Sequence, residues 1–383
     1  MPGATNGTEN LRTQNLSQIL KMVHQHGPLP RSELTRRSGF NRSTVGALVA
    51  ALSDRGLVYE TDPPVAGRVG RPSPIVTANE KVAALSINPD IDAMTIGLVG
   101  LGGHVHRRIR LEAAEVPSLA EAVRMSESIR AELQPDIETM DRLLGIGIAL
   151  PGLVNVAAGR VLLAPHLGWR DADLTGPFSG ALGLPARAAN DAALGSLAES
   201  IFGAALGVEN VLYLNGSASG IGGGVIAGGA QLRGGLGYAG ELGHTLVQTG
   251  GAGCHCGRQG CLDAEVRLER LLRAGGLDRG GTDRLENLLA EPSSDALRIE
   301  VRRQLALLAV ALTNFVNIFD PEVIVLGGFL GSIFAYDDDW LIGTVNDRAL
   351  VGGVTIRRAA LGPELLLVGA AELVFEPLLL NPA

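Results

Sequence analysis

The chain has 383 residues, of which 46% are hydrophobic, 19% charged and only 4% aromatic, and its net charge at pH 7 is −8. This length suits two or three domains, and the composition excludes a disordered or fibrous chain. No apolar run reaches 18 residues without a charge or turn signal, and the first 15 residues lack the pattern of a secretory signal. The sequence therefore predicts a cytoplasmic protein with no membrane partner.

Charge is distributed unevenly along the chain. Residues 1–78 contain nine basic and five acidic side chains, a net charge of +4, whereas the remainder contains 23 basic and 35 acidic ones, a net charge of −12. A basic segment attached to an acidic protein indicates that only this segment meets a polyanion.

Three amphipathic patterns between residues 15 and 56 predict three helices. The first, NLSQILKMVHQHG, has an apolar stripe that consists of Leu16, Ile19, Leu20 and Val23. The second, PRSELTRRSGF, is expected to start at Ser32 as its N-cap, and the third starts at Asn41 or Ser43. Two strands follow, at 57–60 and 75–77, around a segment rich in Gly, Pro and Arg. Residues 1–78 are thus predicted to form a winged helix-turn-helix DNA-binding domain.

The third predicted helix is the recognition helix of this motif, and its first residues would face the major groove of DNA. Exposed polar side chains suited to base edges and phosphates occur there and on the wing. The residues predicted to contact DNA are Arg31, Asn41, Arg42, Ser43, Thr44, Arg68 and Arg71. The alternative is a helical packing or dimerisation module, against which the polar helix start and the wing arginines argue.

From about residue 80 onwards, predicted strands alternate with predicted helices, which indicates layered α/β structure. Seven stretches of this part resemble, in the same order, motifs of the ROK family (repressors, open reading frames, sugar kinases). They are GIGIALPGLVN (145–155), APHLGWRDADL (164–174), ANDAALG (189–195), GIGGGVIAGG (220–229), GYAGELGH (237–244), CHCGRQGCLD (254–263) and FDPEVIVLGG (319–328).

The resemblance implies an α/β two-lobed body of the actin/hexokinase type behind the N-terminal winged helix-turn-helix domain. Lobe 1 is expected over residues 79–200, completed by residues 360–383. Lobe 2 is expected over residues 201–359 and would contain the cysteine-rich loop.

All three cysteines of the chain, Cys254, Cys256 and Cys261, lie within one glycine-rich loop. An odd number of cysteines in a long chain argues against a disulfide framework, but a metal site, a reactive thiol and chance remain open on spacing alone. The resemblance implies a zinc ion bound by the three thiolates and His244, with His255 a bystander. Four protein ligands leave no open position, so this zinc would be structural.

The resemblance also implies a sugar site beside the zinc. The counterparts of Asn190, Asp191, Glu241 and His244 bind sugar hydroxyls in ROK kinases, and the Asp is the general base there. Asp191 is alternatively a helix N-cap. The family usually has Glu where this chain has Asp263, which withdraws the carboxylate by about one bond and puts the identity of the ligand in doubt. Glu265 is an alternative source of that carboxylate.

The segment SINPDIDAMTIGLV (86–99) departs from the Asp-x-Gly-Gly-Thr turn with which ROK kinases bind ATP phosphates. The glycines are absent, Pro89 removes an N–H group, and Asp90 and Asp92 add negative charge. We therefore expect no catalytic residues and no kinase activity. The alternatives are an active ATP-dependent sugar kinase with an accessory DNA-binding domain, and a DNA-binding protein whose body no longer binds a ligand.

These observations predict a sugar-responsive transcriptional regulator, a repressor of genes of carbohydrate uptake or metabolism. A sugar or sugar phosphate bound in the cleft between the lobes would change its affinity for a pseudo-palindromic operator. The expected assembly is a homodimer or tetramer. The sequence does not name the sugar, the operator or the sign of regulation.

Overall fold

The structure, a computed structural model, describes residues 5–62, 73–91, 93–235, 238–277, 282–290 and 294–382. The helices are α1 Thr5–His26, α2 Arg31–Ser38, α3 Arg42–Asp54, α4 Leu119–Glu132, α5 Gln134–Ile137, α6 Thr175–Leu182, α7 Asp191–Phe202, α8 Leu262–Glu265, α9 Leu268–Ala274, α10 Thr282–Ala290, α11 Asp295–Phe319, α12 Phe329–Tyr336, α13 Asp338–Arg348 and α14 Leu365–Leu380. The strands are β1 Leu29–Pro30, β2 Val58–Thr61, β3 Ile75–Ala78, β4 Val82–Pro89, β5 Ala93–Gly100, β6 Val105–Glu112, β7 Arg142–Leu150, β8 Leu153–Asn155, β9 Arg160–Ala164, β10 Trp169–Asp173, β11 Ala186–Asn190, β12 Val211–Ser217, β13 Gly220–Ala227, β14 Ala230–Gln231, β15 Val323–Gly328 and β16 Thr355–Arg358.

The N-terminal segment has the elements of a winged helix. Helices α1, α2 and α3 are accompanied by a three-stranded sheet in the order β1-β3-β2. The predicted apolar stripe of α1 is buried, since each of its four residues is at most 1% exposed. The four apolar residues of α3 that face the same core are buried as well (Val45, Leu48, Val49 and Leu52).

The predicted N-cap of α2 is wrong. Helix α2 begins at Arg31, directly after Pro30, whose ring fixes an extended conformation and offers no side-chain cap. The backbone N–H of Arg31 donates to the carbonyl of Pro74 (2.9 Å), and that of Ser32 donates to Oγ of Ser73 (3.1 Å). The start of α2 is therefore capped from the segment that leads into β3, about 40 residues away.

The first of two compact units comprises Met1–Ala149, Asp173–Ala188 and Ala370–Ala383. It includes the winged helix and most of a five-stranded sheet in the order β11-β7-β4-β5-β6. Strand β4 pairs antiparallel with β5 and parallel with β7, so the sheet is mixed. The C-terminal helix α14 packs closely against this sheet. A Cβ atom at Gly147 of β7 would lie only 1.9 Å from the carbonyl oxygen of Ala370 in α14, so the contact requires glycine.

Within this unit, the winged helix is joined to α14 by buried polar contacts. Oγ of Ser17 donates to the carbonyl of Leu379 (2.6 Å), and Nε2 of His24 lies 3.0 Å from the carboxylate of Glu372. The other ring nitrogen of His24 accepts from the N–H of Gly102 (2.9 Å), in the turn between β5 and β6. Both His24 and Glu372 are almost completely buried.

The second compact unit comprises Leu150–Ala172 and Ala189–Gly369. Its main sheet has the order β14-β13-β12-β15-β16, and β12 pairs antiparallel with β13 and parallel with β15. A small sheet in the order β10-β9-β8 precedes it. The apolar core of this unit consists of side chains from the main sheet and from α8 to α13, the long helix α11 among them. The predicted domain boundaries at residues 78, 200 and 359 stay predictions.

Among the residues that the structure describes, no helix is both long and apolar enough to cross a membrane. The mixed α/β sheets of the two units and the N-terminal winged helix agree with the predicted fold class.

Candidate effector pocket and metal centre

The glycine run in β13 forms close contacts with the elements around it. A Cβ atom at Gly222 would lie 2.6 Å from Cβ of Ala192 in α7. One at Gly223 would lie 2.7 Å from a methyl group of Leu242. Distances this short do not occur between real side chains, so any other residue would push α7 or the loop at 240–244 away from the sheet. The glycines thus have a packing role that requires no bound nucleotide.

A cavity of about 660 Å³ opens beside β13 and is lined only by residues of the second unit. Its volume lies within the range of small-molecule sites. The five residues predicted to bind the sugar all line it: Asn190, Asp191, Glu241, His244 and Asp263. Its other ionisable lining residues are His166, Arg170, His255, Cys256 and Arg258.

Asn190 and Asp191 occupy the start of α7. Oδ1 of Asn190 accepts from the N–H of Ala193 (2.9 Å), and its amide donates to the carbonyl of Gly152 (3.1 Å). The N-cap is therefore Asn190, and the alternative that Asp191 is the cap is wrong. Asp191 is the first helical residue, and its Oδ1 accepts from the N–H of Ala192 (2.7 Å).

Asp263 is 5% exposed, and both of its oxygens have neighbours in the chain. Oδ1 accepts from the N–H of Ile221 (2.8 Å), at the start of β13. Oδ2 lies 3.3 Å from Nδ1 of His255. A Cβ atom at Gly220 would lie 2.3 Å from Oδ1, so the carboxylate packs directly on this backbone, where the positive φ of +132° also favours glycine.

Glu265 is not a lining residue of the pocket, so it does not supply the missing longer carboxylate. It is 3% exposed, and its Oε1 accepts from the N–H of Ala252 (2.5 Å) in the cysteine loop. Its Oε2 accepts from Arg303 of α11 (3.1 Å). Glu265 therefore holds the cysteine loop against α11.

Glu241 and His244 lie at the two ends of a short 3-10 turn, Leu242–His244. Nε2 of His244 is 3.8 Å from a carboxylate oxygen of Glu241. Burial raises the pKa of Glu241 and lowers the pKa of His244. As a result, Glu241 lines the pocket, and Nδ1 of His244 faces the sulfur of Cys254.

The cysteine loop and His244 bring four potential metal ligands together, Nδ1 or Nε2 of His244 and the three sulfurs, all within 4.8 Å of one another. The sulfurs of Cys256 and Cys261 are 3.7 Å apart, and the sulfur of Cys254 is 3.6 Å from Nδ1 of His244. Tetrahedral zinc, with Zn–S about 2.3 Å and Zn–N about 2.0–2.1 Å, separates two sulfurs by about 3.8 Å and sulfur from nitrogen by about 3.6 Å. The donor set fits a tetrahedral metal site.

The thiols influence one another's ionisation strongly. Burial raises the pKa of Cys254 to about 12, whereas a hydrogen bond with Arg258 lowers the pKa of Cys256 to about 7. Burial also raises the pKa of Cys261. The three sulfurs could be thiolates at the same time only with a cation between them, which agrees with the ligand geometry.

Three imidazole rings line one region of the pocket. The ring centroid of His255 lies 4.9 Å from that of His244 and 5.3 Å from that of His166, both in edge-to-face contact. Sequence reasoning placed His255 as a bystander of the metal and did not consider His166. The one signal for His166 in the sequence is its position inside the motif APHLGWRDADL.

The predicted DNA-contacting residues lie at the starts of α2 and α3. Arg31 forms a bidentate ion pair with Glu60 of β2, so its charge is partly compensated. Oδ1 of Asn41 caps α3 by accepting from the N–H of Thr44 (2.8 Å) and from the hydroxyl of Ser43 (2.7 Å). Arg42 is exposed at the first position of α3. Two further predicted contacts, Arg68 and Arg71, lie outside the described residues.

The segment at 86–99 forms a tight antiparallel hairpin of β4 and β5. Pro89 pairs with Met94, and the N–H of Asp90 donates to the carbonyl of Ala93 (2.9 Å). The carboxylate of Asp90 accepts from the N–H of Ile91 (2.7 Å). The N–H groups of the turn that are described thus have partners within the hairpin. Asp92, which was expected to add negative charge here, lies outside the described residues.

Comparisons with known proteins identify two family profiles. The profile described as ROK family matches residues 92–375, and the profile described as MarR family matches residues 15–69. A putative xylose repressor of Caldicellulosiruptor sp. is 30% identical over 339 residues, which cover 82% of this chain and 84% of that protein. A glucokinase of Halalkalibacterium halodurans is 30% identical over 277 residues, which cover 65% of this chain and 82% of that one.

Among solved structures, a ROK family transcriptional regulator described as a homologue of the Escherichia coli MLC protein has a TM-score of 0.76 and 25% identity. The match covers 97% of this chain and 97% of that one. It therefore extends over the N-terminal winged helix as well as the α/β body.

Proposed function

The chain belongs to the ROK family, and on that premise we propose that it is a sugar-responsive, DNA-binding transcriptional repressor. This proposal rests on the presence, in one chain, of a DNA-binding motif and a small-molecule pocket. A winged helix with an exposed, basic recognition-helix start precedes a body that contains a pocket lined with hydroxyl-binding groups. Relatives named xylose repressors and the full-length match to a ROK transcriptional regulator support the same function.

The DNA-binding surface is proposed to be the start of α3 with the flanking wing. Arg42, Ser43 and Thr44 would face the major groove, with Asn41 fixing the first turn of the helix as its cap. The ion pair of Arg31 with Glu60 ties α2 to β2, so Arg31 would orient the motif more than bind phosphate. Arg68 and Arg71 stay proposed wing contacts.

The pocket is proposed to bind the effector, a sugar or sugar phosphate, through Asn190, Asp191, Glu241 and His244, with Asp263 contributing as a further lining residue. Carboxylates, an amide and imidazoles supply both donors and acceptors for vicinal hydroxyls. A sugar bound in this pocket would change the affinity for the operator. A coupling of about 1–3 kcal/mol alters that affinity about 5–150-fold, which is enough to switch a promoter.

We propose that the chain has lost phosphoryl transfer. Support comes from the hairpin at 86–99, where proline and aspartate replace the glycines that let a backbone approach phosphates, and where the N–H groups of Asp90 and Ile91 are already bonded. Support also comes from the glycines of β13, whose packing against α7 and Leu242 explains them without a nucleotide. Asp191 would then remain as a sugar ligand without a catalytic task.

The metal at the cysteine loop is proposed to be a structural zinc ion held by His244, Cys254, Cys256 and Cys261. When bound, it would neutralise the three thiolates and fix the loop. His244 would bind it through Nδ1, so that Nε2 bears the proton and faces Glu241 at 3.8 Å. The metal would thereby fix the orientation of His244 and Glu241 without contacting the sugar.

The functional assembly is proposed to be a homodimer or tetramer in which two winged helices bind a pseudo-palindromic operator. Half-sites one helical turn apart, about 34–36 Å, would match a two-fold dimer. The proposed location is the cytoplasm, where operator and metabolised sugar meet.

A thermal-shift screen of sugars and sugar phosphates, with the hits tested for release of the protein from an operator selected from random duplexes, tests the proposal. At least one hit is expected to raise the Tm and to weaken operator binding. A protein that selects no DNA sequence, or whose hits leave operator binding unchanged, would contradict it.

A further inference from the structure

His255 is placed between the metal-binding loop and the pocket. Its Nδ1 lies 3.3 Å from Oδ2 of Asp263 and 4.0 Å from the sulfur of Cys254. Because a carboxylate oxygen can accept a hydrogen bond but not donate one, the ring nitrogen that faces Oδ2 of Asp263 is expected to bear the proton, so His255 is protonated on Nδ1. The other nitrogen, Nε2, is then an acceptor.

Asp263, in contrast, has little capacity left for a sugar. One oxygen accepts from the N–H of Ile221, and the other faces His255. The side chain is also buried and pressed against Gly220. A sugar that reached Asp263 directly would have to compete with these contacts, whereas Nε2 of His255 has no hydrogen-bond partner among the residues described.

His166 likewise has a ring nitrogen without a hydrogen-bond partner in the described part of the chain. Its ring packs edge-to-face on that of His255, with 5.3 Å between the centroids, and it lines the same cavity. Its Nε2 is buried and has no hydrogen-bond partner in the described part of the chain. Buried polar atoms are nearly always paired, so this one calls for a partner that the protein does not supply.

We propose that His255 and His166 bind hydroxyl groups of the sugar directly, and that Asp263 is a positioning residue that acts through His255. The inference rests on the proposed function, since it assigns the contacts within that effector pocket. The imidazole of His255 thereby extends the reach of the Asp263 carboxylate into the pocket.

The tautomer of His255 is the first test, and it needs no ligand. Long-range ¹H–¹⁵N spectra of the zinc-loaded full-length protein, with the signals of His255 assigned through His255→Gln, should show the proton on Nδ1. In Asp263→Asn, Oδ1 can still accept from Ile221, so the amide NH₂ takes the place of Oδ2 and should drive the proton of His255 to Nε2. A wild-type His255 protonated on Nε2 would overturn the proposal.

Sugar binding is the second test, with D-xylose and D-glucose as calorimetric probes. His255→Ala and His166→Ala should each weaken binding about 10-fold or more, since each removes a hydrogen bond inside the pocket. His104→Ala, which removes an exposed histidine of the first unit, should bind as the wild type does. Equal zinc content in all variants would show that the metal centre is intact.

The two tests separate this inference from the proposed function. A sugar that binds the wild type and both pocket variants within twofold would overturn the contacts proposed for His255 and His166 but leave the effector pocket in place. If neither sugar binds the wild type, the result counts against the proposed function for these sugars, and the tautomer alone decides the role of Asp263.

Discussion

Asn190 and Asp263 each use side-chain atoms to hold the backbone that forms the pocket. Asn190 caps α7, and Asp263 fixes the start of β13 through Ile221. Sequence comparison with a family could select both residues, because such positions lie within ordered motifs. It could not show that Oδ1 of Asp263 is engaged, since that contact joins Asp263 to Ile221, about 40 positions away.

The metal ligands were the most predictable residues. Three cysteines in one glycine-rich loop limit the possible ligand sets, and the geometry brings the same three sulfurs to His244. Glu265 was not predictable in this way. It is two residues from Asp263, but its carboxylate accepts a hydrogen bond from Arg303 of α11 and does not line the pocket. Nothing in the local sequence indicates that pairing.

Removal of one metal ligand should empty the centre. Cys256→Ser leaves three ligands and a hydroxyl that binds zinc poorly, so the purified protein should contain far less than one zinc per chain and have a lower Tm. Elemental analysis and calorimetry measure both quantities. His255→Ala is the matched control and should keep about one zinc per chain, because His255 is outside the proposed ligand set. A wild-type protein that is free of metal after purification without chelators would contradict the prediction.

The start of α3 should dominate operator recognition. Arg42→Ala removes an exposed guanidinium at the first helical position, and we expect a loss of about 1–3 kcal/mol in operator binding, about 5–150-fold in Kd. Fluorescence anisotropy with the selected operator at fixed salt measures it. Arg108→Ala, an exposed arginine of β6, is the control and should change the affinity little. Full affinity and specificity in Arg42→Ala would show that α3 is not the recognition helix.

At the scale of elements, periodic patterns predicted the three helices of the winged helix and its strands β2 and β3, because their apolar faces pack on one core. They predicted neither β1 nor the start of α1 at Thr5, and Ser32 looked like the cap of α2. The cap comes instead from Ser73 and Pro74, which a local pattern cannot reveal. The glycine run of β13 was likewise visible in the sequence, but its reason, the close approach of α7, is a tertiary contact.

The buried polar contacts between α1 and α14 help to join the winged helix to the rest of its unit. Glu372→Ala removes the carboxylate that pairs with the buried ring of His24, which should destabilise the first unit by about 1–3 kcal/mol. Calorimetry of the full-length protein should show a lower Tm. Glu364→Ala, an exposed residue before α14, should remain within about 0.5 kcal/mol of the wild type.

A second variant distinguishes a lost pair from general damage to α14. Replacement of both His24 and Glu372 by leucine removes both members of the buried pair, at the cost of the ring nitrogen that accepts from the N–H of Gly102, so part of the lost stability should return. Equal stability of Glu372→Ala and Glu364→Ala would show that the buried pair contributes nothing.

At the scale of the whole molecule, the basic N-terminal segment and the acidic body differ in net charge by a wide margin. This division predicted which part meets DNA, and the match of the whole chain to a ROK transcriptional regulator agrees with it. The winged helix belongs to the same compact unit as the five-stranded sheet, whereas the pocket lies in the other unit. Any effect of a sugar on DNA binding must therefore pass from one unit to the other, which no local sequence pattern could predict.

The chain should not phosphorylate sugars. With D-glucose or D-xylose and Mg-ATP, release of ADP in a coupled assay should be no faster for the wild type than for Asp191→Asn, because the hairpin at 86–99 lacks the glycines that bind phosphates. The Asp191→Asn protein is the matched control, since it removes the carboxylate that serves as general base in ROK kinases. Turnover that is rapid in the wild type and absent in this variant would establish a kinase.

The most direct test of the central claim is the affinity of the full-length protein for its selected operator, measured by anisotropy with and without a saturating sugar identified by thermal shift. We expect the sugar to weaken operator binding about 5–150-fold, in line with a coupling of about 1–3 kcal/mol. By reciprocity, operator DNA should weaken sugar binding by the same factor. A sugar that saturates the pocket and leaves operator affinity unchanged would contradict the account.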